Sequence, residues 1–118
     1  MQYLPVYTEG VRGLLPLRRF VVRDTSMSPS LMPGDRVVTL QWWWRAKVGD
    51  VVVFREPDAR LTFAVKRIVR IESDRQLTVQ GDNANVSRDS REFGPVPRNL
   101  VVGKVMYRYL PAERRGRV

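Results

Sequence analysis

Neither cysteine nor histidine occurs anywhere in the 118 residues. Their absence excludes disulfides, thiol nucleophiles, histidine-based triads and the usual zinc ligand sets, which removes most hydrolytic mechanisms. Any hydrolase built on this chain must take its base from Lys, Asp or Glu. Long apolar runs are lacking too. The most apolar piece near the N-terminus, Val11 to Val22, is broken by Arg12, Pro16, Arg18 and Arg19, well short of the roughly 20 residues that a spanning helix needs. With no secretory pattern ahead of it, the expectation is a soluble, cytoplasmic protein, and a cysteine-free chain agrees with a reducing compartment. No stretch sustains a helical period, and there is no internal repeat, low-complexity segment or linker.

What is present is the composition of one folded domain carrying a formal charge of +9. Such a charge attracts phosphate, an anionic membrane surface or an acidic polypeptide without distinguishing them, and a solvated basic surface explains it equally well. Residues 1–18 read as an N-terminal arm, 19–110 as the domain, and 111–118, with Arg114-Arg115-Gly116-Arg117, as a basic C-terminal tail. Within the domain, short strands alternate with turn signals. They are Phe20 to Arg23, Arg36 to Gln41, Val51 to Phe54, Leu61 to Ile71, Gln76 to Gln80 and Leu100 to Tyr107. The pattern predicts an all-β domain of curled antiparallel sheets or a partly open barrel, with at most a short helical turn after Ser26.

Three pieces of this chain could carry chemistry. Phe20-Val21-Val22-Arg23 runs into Asp24-Thr25-Ser26-Met27-Ser28-Pro29-Ser30-Leu31 and a Pro33-Gly34-Asp35 turn, which displays hydroxyls at a strand end. A plain turn rich in Ser, Thr and Pro accounts for that stretch taken alone. Lys66 falls in the middle of a strand, on one face with Ala64 and Ile68, an odd place for an ammonium ion unless it snorkels or pairs with an Asp. Burial would disfavour its charged form and bring its pKa toward neutrality, giving the amine base that a serine needs where no histidine exists. Arg67 points to the opposite face and stays protonated. The third piece, Gly81 to Gly94, reads as a polar loop long enough to need internal ties.

Taken together, these pieces resemble the signal peptidase I family of Ser/Lys serine endopeptidases, over roughly Arg23 to Val105. Ser26-Met27 with Pro29, Leu31 and Gly34-Asp35 matches the nucleophile motif, and Val65-Lys66-Arg67 matches the base motif. Gly81-Asp82-Asn83, Ser87, Asp89-Ser90-Arg91 and Val102-Gly103-Lys104 match the C-terminal one. The resemblance implies Ser26 as nucleophile, Lys66 as general base and Ser87 as the group orienting Lys66. It also implies the Ser26 backbone N–H as oxyanion donor, Met27 beside the substrate, and Asp82, Asp89 and Arg91 bracing the loop. It implies the signal-peptidase and LexA-like catalytic fold, no metal or other cofactor, and cleavage after small residues of an extended substrate.

Two features depart from the family pattern. Asp24 stands where some members place a hydroxyl as second oxyanion donor; its carboxylate would repel an oxyanion, which leaves that part to Thr25 or another group. Typical members are membrane-anchored, and the missing anchor resembles the small soluble branch that includes the maturation proteases of nickel-type superoxide dismutase. The expected partner is therefore a protein substrate with an N-terminal extension. Trp42-Trp43-Trp44 cannot all enter one core from a strand. Beyond packing, these indoles offer a wall against a protein substrate or, with Arg45 and Lys47, a weak contact with an anionic membrane surface, as a peripheral signal peptidase would need. An inert basic β-barrel that binds nucleic acid is a further reading, but it explains neither Lys66 nor the three motifs.

Overall fold

The computed structural model describes residues 3–6 and 16–118 except positions 74 and 87, with residues 3–6 described as backbone only. Nine strands run in the order β1 (Tyr3–Val6), β2 (Leu17–Val22), β3 (Arg36–Leu40), β4 (Val51–Glu56), β5 (Ala59–Ser73), β6 (Gln76–Gln80), β7 (Val96–Pro97), β8 (Val101–Leu110) and β9 (Gly116–Arg117). A one-turn helix α1 (Ser90–Phe93) and short 3-10 turns at Arg98–Leu100 and Ala112–Arg114 complete the described residues. All pairings are antiparallel, in the spatial order β1-β2-β3-β8-β4-β5-β6-β7, with β9 added to β8. The sheet does not close on itself, since β1 and β7 remain its ends among the described residues. It curls nevertheless, and β1 approaches β5 across four intervening positions of the order. The all-β expectation therefore holds. No helix among the described residues is long and apolar enough to cross a membrane.

Curling covers both faces of the central strands, so β4 reads as a continuous apolar run and not as an alternation. Val51 and Val53 join Phe20, Val22, Met27, Leu31, Val37, Phe63, Val65 and Val105 in one core. Val52 and Phe54 point the other way, into a second core with Ala64, Ile68, Leu77, Val79, Val96 and Leu100. Each fully buried side chain of this size stabilises the fold by about 1.5–3 kcal/mol, and Phe20 adds an edge-on contact with Phe63 at 5.5 Å. β5 supplies side chains to both cores. Lys66 therefore enters the second core between Ala64 and Ile68, opposite Val52.

Two local features hold the frame. At Gly103 on β8, an added Cβ would lie 2.9 Å from the Leu40 carbonyl oxygen and 3.0 Å from Thr39 Oγ1, so only glycine lets β8 approach β3 this closely. Residues 111–118, expected as a tail, fold back on the sheet. Gly116 and Arg117 pair with β8, Val118 packs against the first core, and Arg114 reaches the Asp35 carboxylate at 2.8 Å. Asp35 is 2% exposed, also accepts from Arg108 at 3.3 Å and from the Met32 N–H at 2.9 Å, and so anchors the turn that follows β2.

Candidate active site

The turn between β2 and β3 is closed at its base by Val22 N–H to the Asp35 carbonyl and Gly34 N–H to the Val22 carbonyl. Inside it, Ser28 N–H donates to the Thr25 carbonyl and Leu31 N–H to the Met27 carbonyl, a tight coil that drives Met27 and Leu31 into the first core. Between exposed Thr25 and buried Met27, Ser26 has little choice of direction. It is 3% exposed, and its carbonyl accepts the Asn83 N–H at 2.9 Å. Its Oγ accepts a hydrogen bond from Lys66 Nζ at 3.0 Å. Forty positions apart in the chain, the two side chains meet because β5 carries Lys66 across the sheet to the turn at the end of β2.

Lys66 has no solvent-exposed surface. Burial lowers its pKa from 10.5 to about 8, against the negative charges of Asp24, Asp89 and Glu56, which raise it, while Arg88 lowers it further. About a tenth of the amines are then neutral at pH 7, roughly 300-fold more than for an ordinary lysine. A buried hydroxyl hydrogen-bonded to an amine that is partly neutral near pH 7 is an arrangement suited to nucleophilic attack.

The loop after β6 packs around this pair. Asp82 takes two hydrogen bonds from the Arg67 guanidinium, at 2.9 and 2.8 Å, and one from Ser30 Oγ at 2.6 Å, which links β5 to the Ser26 turn. Those bonds hold the Asp82 carboxyl below its usual range. Asp89, fully buried, caps α1, accepts the Gly81 N–H at 3.1 Å and is gripped by Arg91 at 2.7 Å. Burial of Asp89 works against these bonds, yet its pKa is lowered on balance. Asp82 thus ties the loop to Arg67 and Ser30, while Asp89 and Arg91 tie it to Gly81 and the start of α1. Ser87 lies outside the described residues. Met27 is fully buried, contacts core side chains and accepts the Asp82 N–H on its sulfur at 3.4 Å.

Three residues near the site carried no role in the sequence reading. Asn83 donates both its N–H to Ser26 and its side-chain amide to the Thr25 carbonyl at 3.2 Å. Glu56, 5% exposed at the end of β4, accepts from Arg88 at 2.9 Å; Arg88 also bonds Asp58 and pairs with Glu92. The signal for Glu56 is its parity with Val52 and Phe54, which puts it on the Lys66 face, but the strand expected from the sequence stops at Phe54. The tryptophans divide. Trp44 packs against the second core beneath Arg98, while Trp42 and Trp43 stand out edge to face at 6.1 Å. Trp43 is 79% exposed with φ at +69°, a backbone conformation that bulky residues rarely adopt.

Comparison with known proteins points the same way as this geometry. A family model described as signal peptidase, peptidase S26, matches residues 11–75 and 73–110. Mitochondrial inner membrane protease subunit 2 of Schizosaccharomyces pombe is 32% identical over 120 residues, covering 82% of this chain and 67% of that protein. The mitochondrial ATP-independent inner membrane protease subunit 1b of Arabidopsis thaliana is 31% identical over 75% of this chain and 67% of its own length. A probable signal peptidase I-1 of Synechocystis is 26% identical over 85% and 74%.

Proposed function

This chain belongs to the peptidase S26 family of signal peptidases, and from that premise we propose that Ser26 and Lys66 form its catalytic dyad and remove an N-terminal leader or propeptide. Membership of the family makes it a serine peptidase with a protein substrate. The dyad rests on one observation, the 3.0 Å contact between buried Lys66 Nζ and buried Ser26 Oγ. Neutral Lys66 takes the Ser26 hydroxyl proton as Oγ bonds to the scissile carbonyl carbon. The resulting oxyanion is held by the Ser26 main-chain N–H, a donor of the kind worth about 2.7–4 kcal/mol. Collapse of the intermediate breaks the C–N bond, and Lys66 returns the proton to the leaving amine. A water then repeats the sequence on the acyl-enzyme, with Lys66 again as base. Asp82, Asp89 and Arg91 hold the loop that carries Asn83 against Ser26.

Two substrate settings follow. One is the trimming of a propeptide, with the precursor of nickel-type superoxide dismutase as the candidate substrate. The exposed Trp42 and Trp43, flanked by exposed Arg45 and Lys47, favour a peripheral enzyme acting at an anionic bilayer, and several relatives are named as inner membrane proteases. One experiment addresses both. The purified chain, Ser26→Ala and Lys66→Ala are incubated with that precursor and with a small-residue signal peptide, with and without phosphatidylglycerol vesicles, and products are read by mass spectrometry. Wild type should cut and both variants should not; a variant that still cleaves removes the dyad. Indifference to vesicles, with no co-sedimentation, removes the membrane setting.

A further inference from the structure

The main-chain N–H assigned to the oxyanion is already engaged in the resting protein. Ser26 N–H donates to Asp24 Oδ1 at 3.2 Å, so the carboxylate two residues upstream closes an Asx turn over that donor. Resting on the Ser26/Lys66 reading, we propose that Asp24 is a brake on the site: its carboxylate covers the Ser26 N–H, and a substrate carbonyl gains that donor only by displacing it. An oxyanion cannot develop beside a carboxylate that shares its donor, since like charges at this range in a partly dry site repel strongly. The device is local. Asp24 is half-buried, between exposed Arg23 and exposed Thr25.

The same carboxylate acts on the base. Among the described residues, the charged groups facing Lys66 are Asp24 from the turn, Asp89 from the loop, Glu56 from β4 and Arg88 beside Glu56, with Asp24 the strongest of the acids. Asp89 is committed to Arg91, and Glu56 to Arg88. Asp24 is held to the Ser26 amide, so its displacement would both open the oxyanion donor and weaken the field that keeps Lys66 protonated. One movement thus readies nucleophile, base and donor together, and only when a substrate carbonyl competes for the amide. Asp24 is on this account a positioning residue.

Asp24→Asn keeps an acceptor for the Asx turn and removes the charge; Asp24→Ala removes both. The chain has three lysines, so the Lys66 ammonium can be followed by NMR in labelled apo protein without substrate. Turnover is measured against pH with a fluorescence-quenched peptide bearing alanine one and three residues before the scissile bond. In both variants Lys66 should titrate below the wild-type value of about 8. The acid limb of the rate profile should move with it, about threefold more turnover at pH 7 for every half pH unit, and the plateau rate should rise in Asp24→Asn. A merely structural Asx turn would leave the plateau unchanged in Asp24→Asn, and that result overturns the brake alone, whether or not the Lys66 titration falls. If no form cuts the peptide, the Ser26/Lys66 reading falls and the brake with it, whatever the titration shows.

Discussion

Replacing Lys66 by methionine should stabilise the protein at neutral pH while abolishing its activity. Methionine is close to lysine in length, unbranched and apolar, and fits among Ala64, Ile68 and Val52 with little repacking. The ammonium it removes is buried, and the depression of its pKa from 10.5 to about 8 measures what holding the proton there costs, about 3 kcal/mol. Losing the hydrogen bond to Ser26 Oγ offsets about 1 kcal/mol of that gain. The net expectation is a variant more stable by about 2 kcal/mol at pH 7.

The sign of the pH dependence makes this test demanding. Because the folded pKa lies below the unfolded one, the deficit is full below pH 8, where both states carry the proton. It shrinks as pH rises from 8 to 10.5, where the folded state has lost the proton and the unfolded state still holds it. Above that window both are neutral, and only the hydrogen bond remains in favour of lysine. The difference between wild type and Lys66→Met should therefore fall with pH and change sign near about pH 10. Urea unfolding followed by tryptophan fluorescence at several pH values measures it, and other titrating groups cancel in the difference. A variant less stable than wild type at pH 7, or a difference flat from pH 8 to 10, would refute the account of Lys66 as a desolvated base.

Two further substitutions probe the frame that presents Ser26. Asp35→Ala leaves Arg108 and Arg114 facing a vacated carboxylate site; the expected loss is about 3 kcal/mol, the low end for a broken buried pair because Arg114 is 31% exposed and can rehydrate. Cleavage should fall as well, since Arg108 and Arg114 also hold the Ser30 and Pro29 carbonyls of the Ser26 turn; unchanged urea midpoints would contradict this. Gly103→Ala should cost about 1–3 kcal/mol, because its methyl would meet the Leu40 carbonyl oxygen, which cannot retreat without opening the β3–β8 pairing. A thermal midpoint equal to wild type would show that the two strands have slack.

The long strands were legible because their apolar residues alternate or run continuously between turn signals. β6 lies where its sequence pattern places it, and β5 extends two residues beyond its expected span at each end. What escaped was short or irregular. β1 contains Pro5, which an edge strand tolerates because its outer side needs no donor, so its composition reads as an arm. β7 and β9 have two residues each, too few for any period, and exist because a neighbouring strand offers an edge. α1 is a single turn nucleated by the Asp89 cap, again below the length at which a helical repeat can be read.

The site divides along the same line. Lys66 stood out because a cation among apolar neighbours on one strand face contradicts the rule that buried charges are paired, and a contradiction of that kind needs only local sequence to see. Its surroundings were hidden because they are assembled from separate places. Asp24 arrives from the turn after β2, Glu56 from the end of β4 and Asp89 from the loop after β6, and their charges meet at one ammonium. None looks unusual in its own segment: Asp24 and Glu56 sit where turns favour acids, and Asp89 where a helix wants a cap. Together they keep the Lys66 pKa near 8 instead of letting burial drive it lower. In the proposed dyad, a base held there would remain a competent acid toward the leaving amine at neutral pH, and a lysine in an unbroken apolar core would lose that second role. On the proposed dyad, the carboxylates that seem to oppose the chemistry would set the balance between its two proton transfers, and Asp24, which also accepts the Ser26 N–H, would be where a substrate changes that balance.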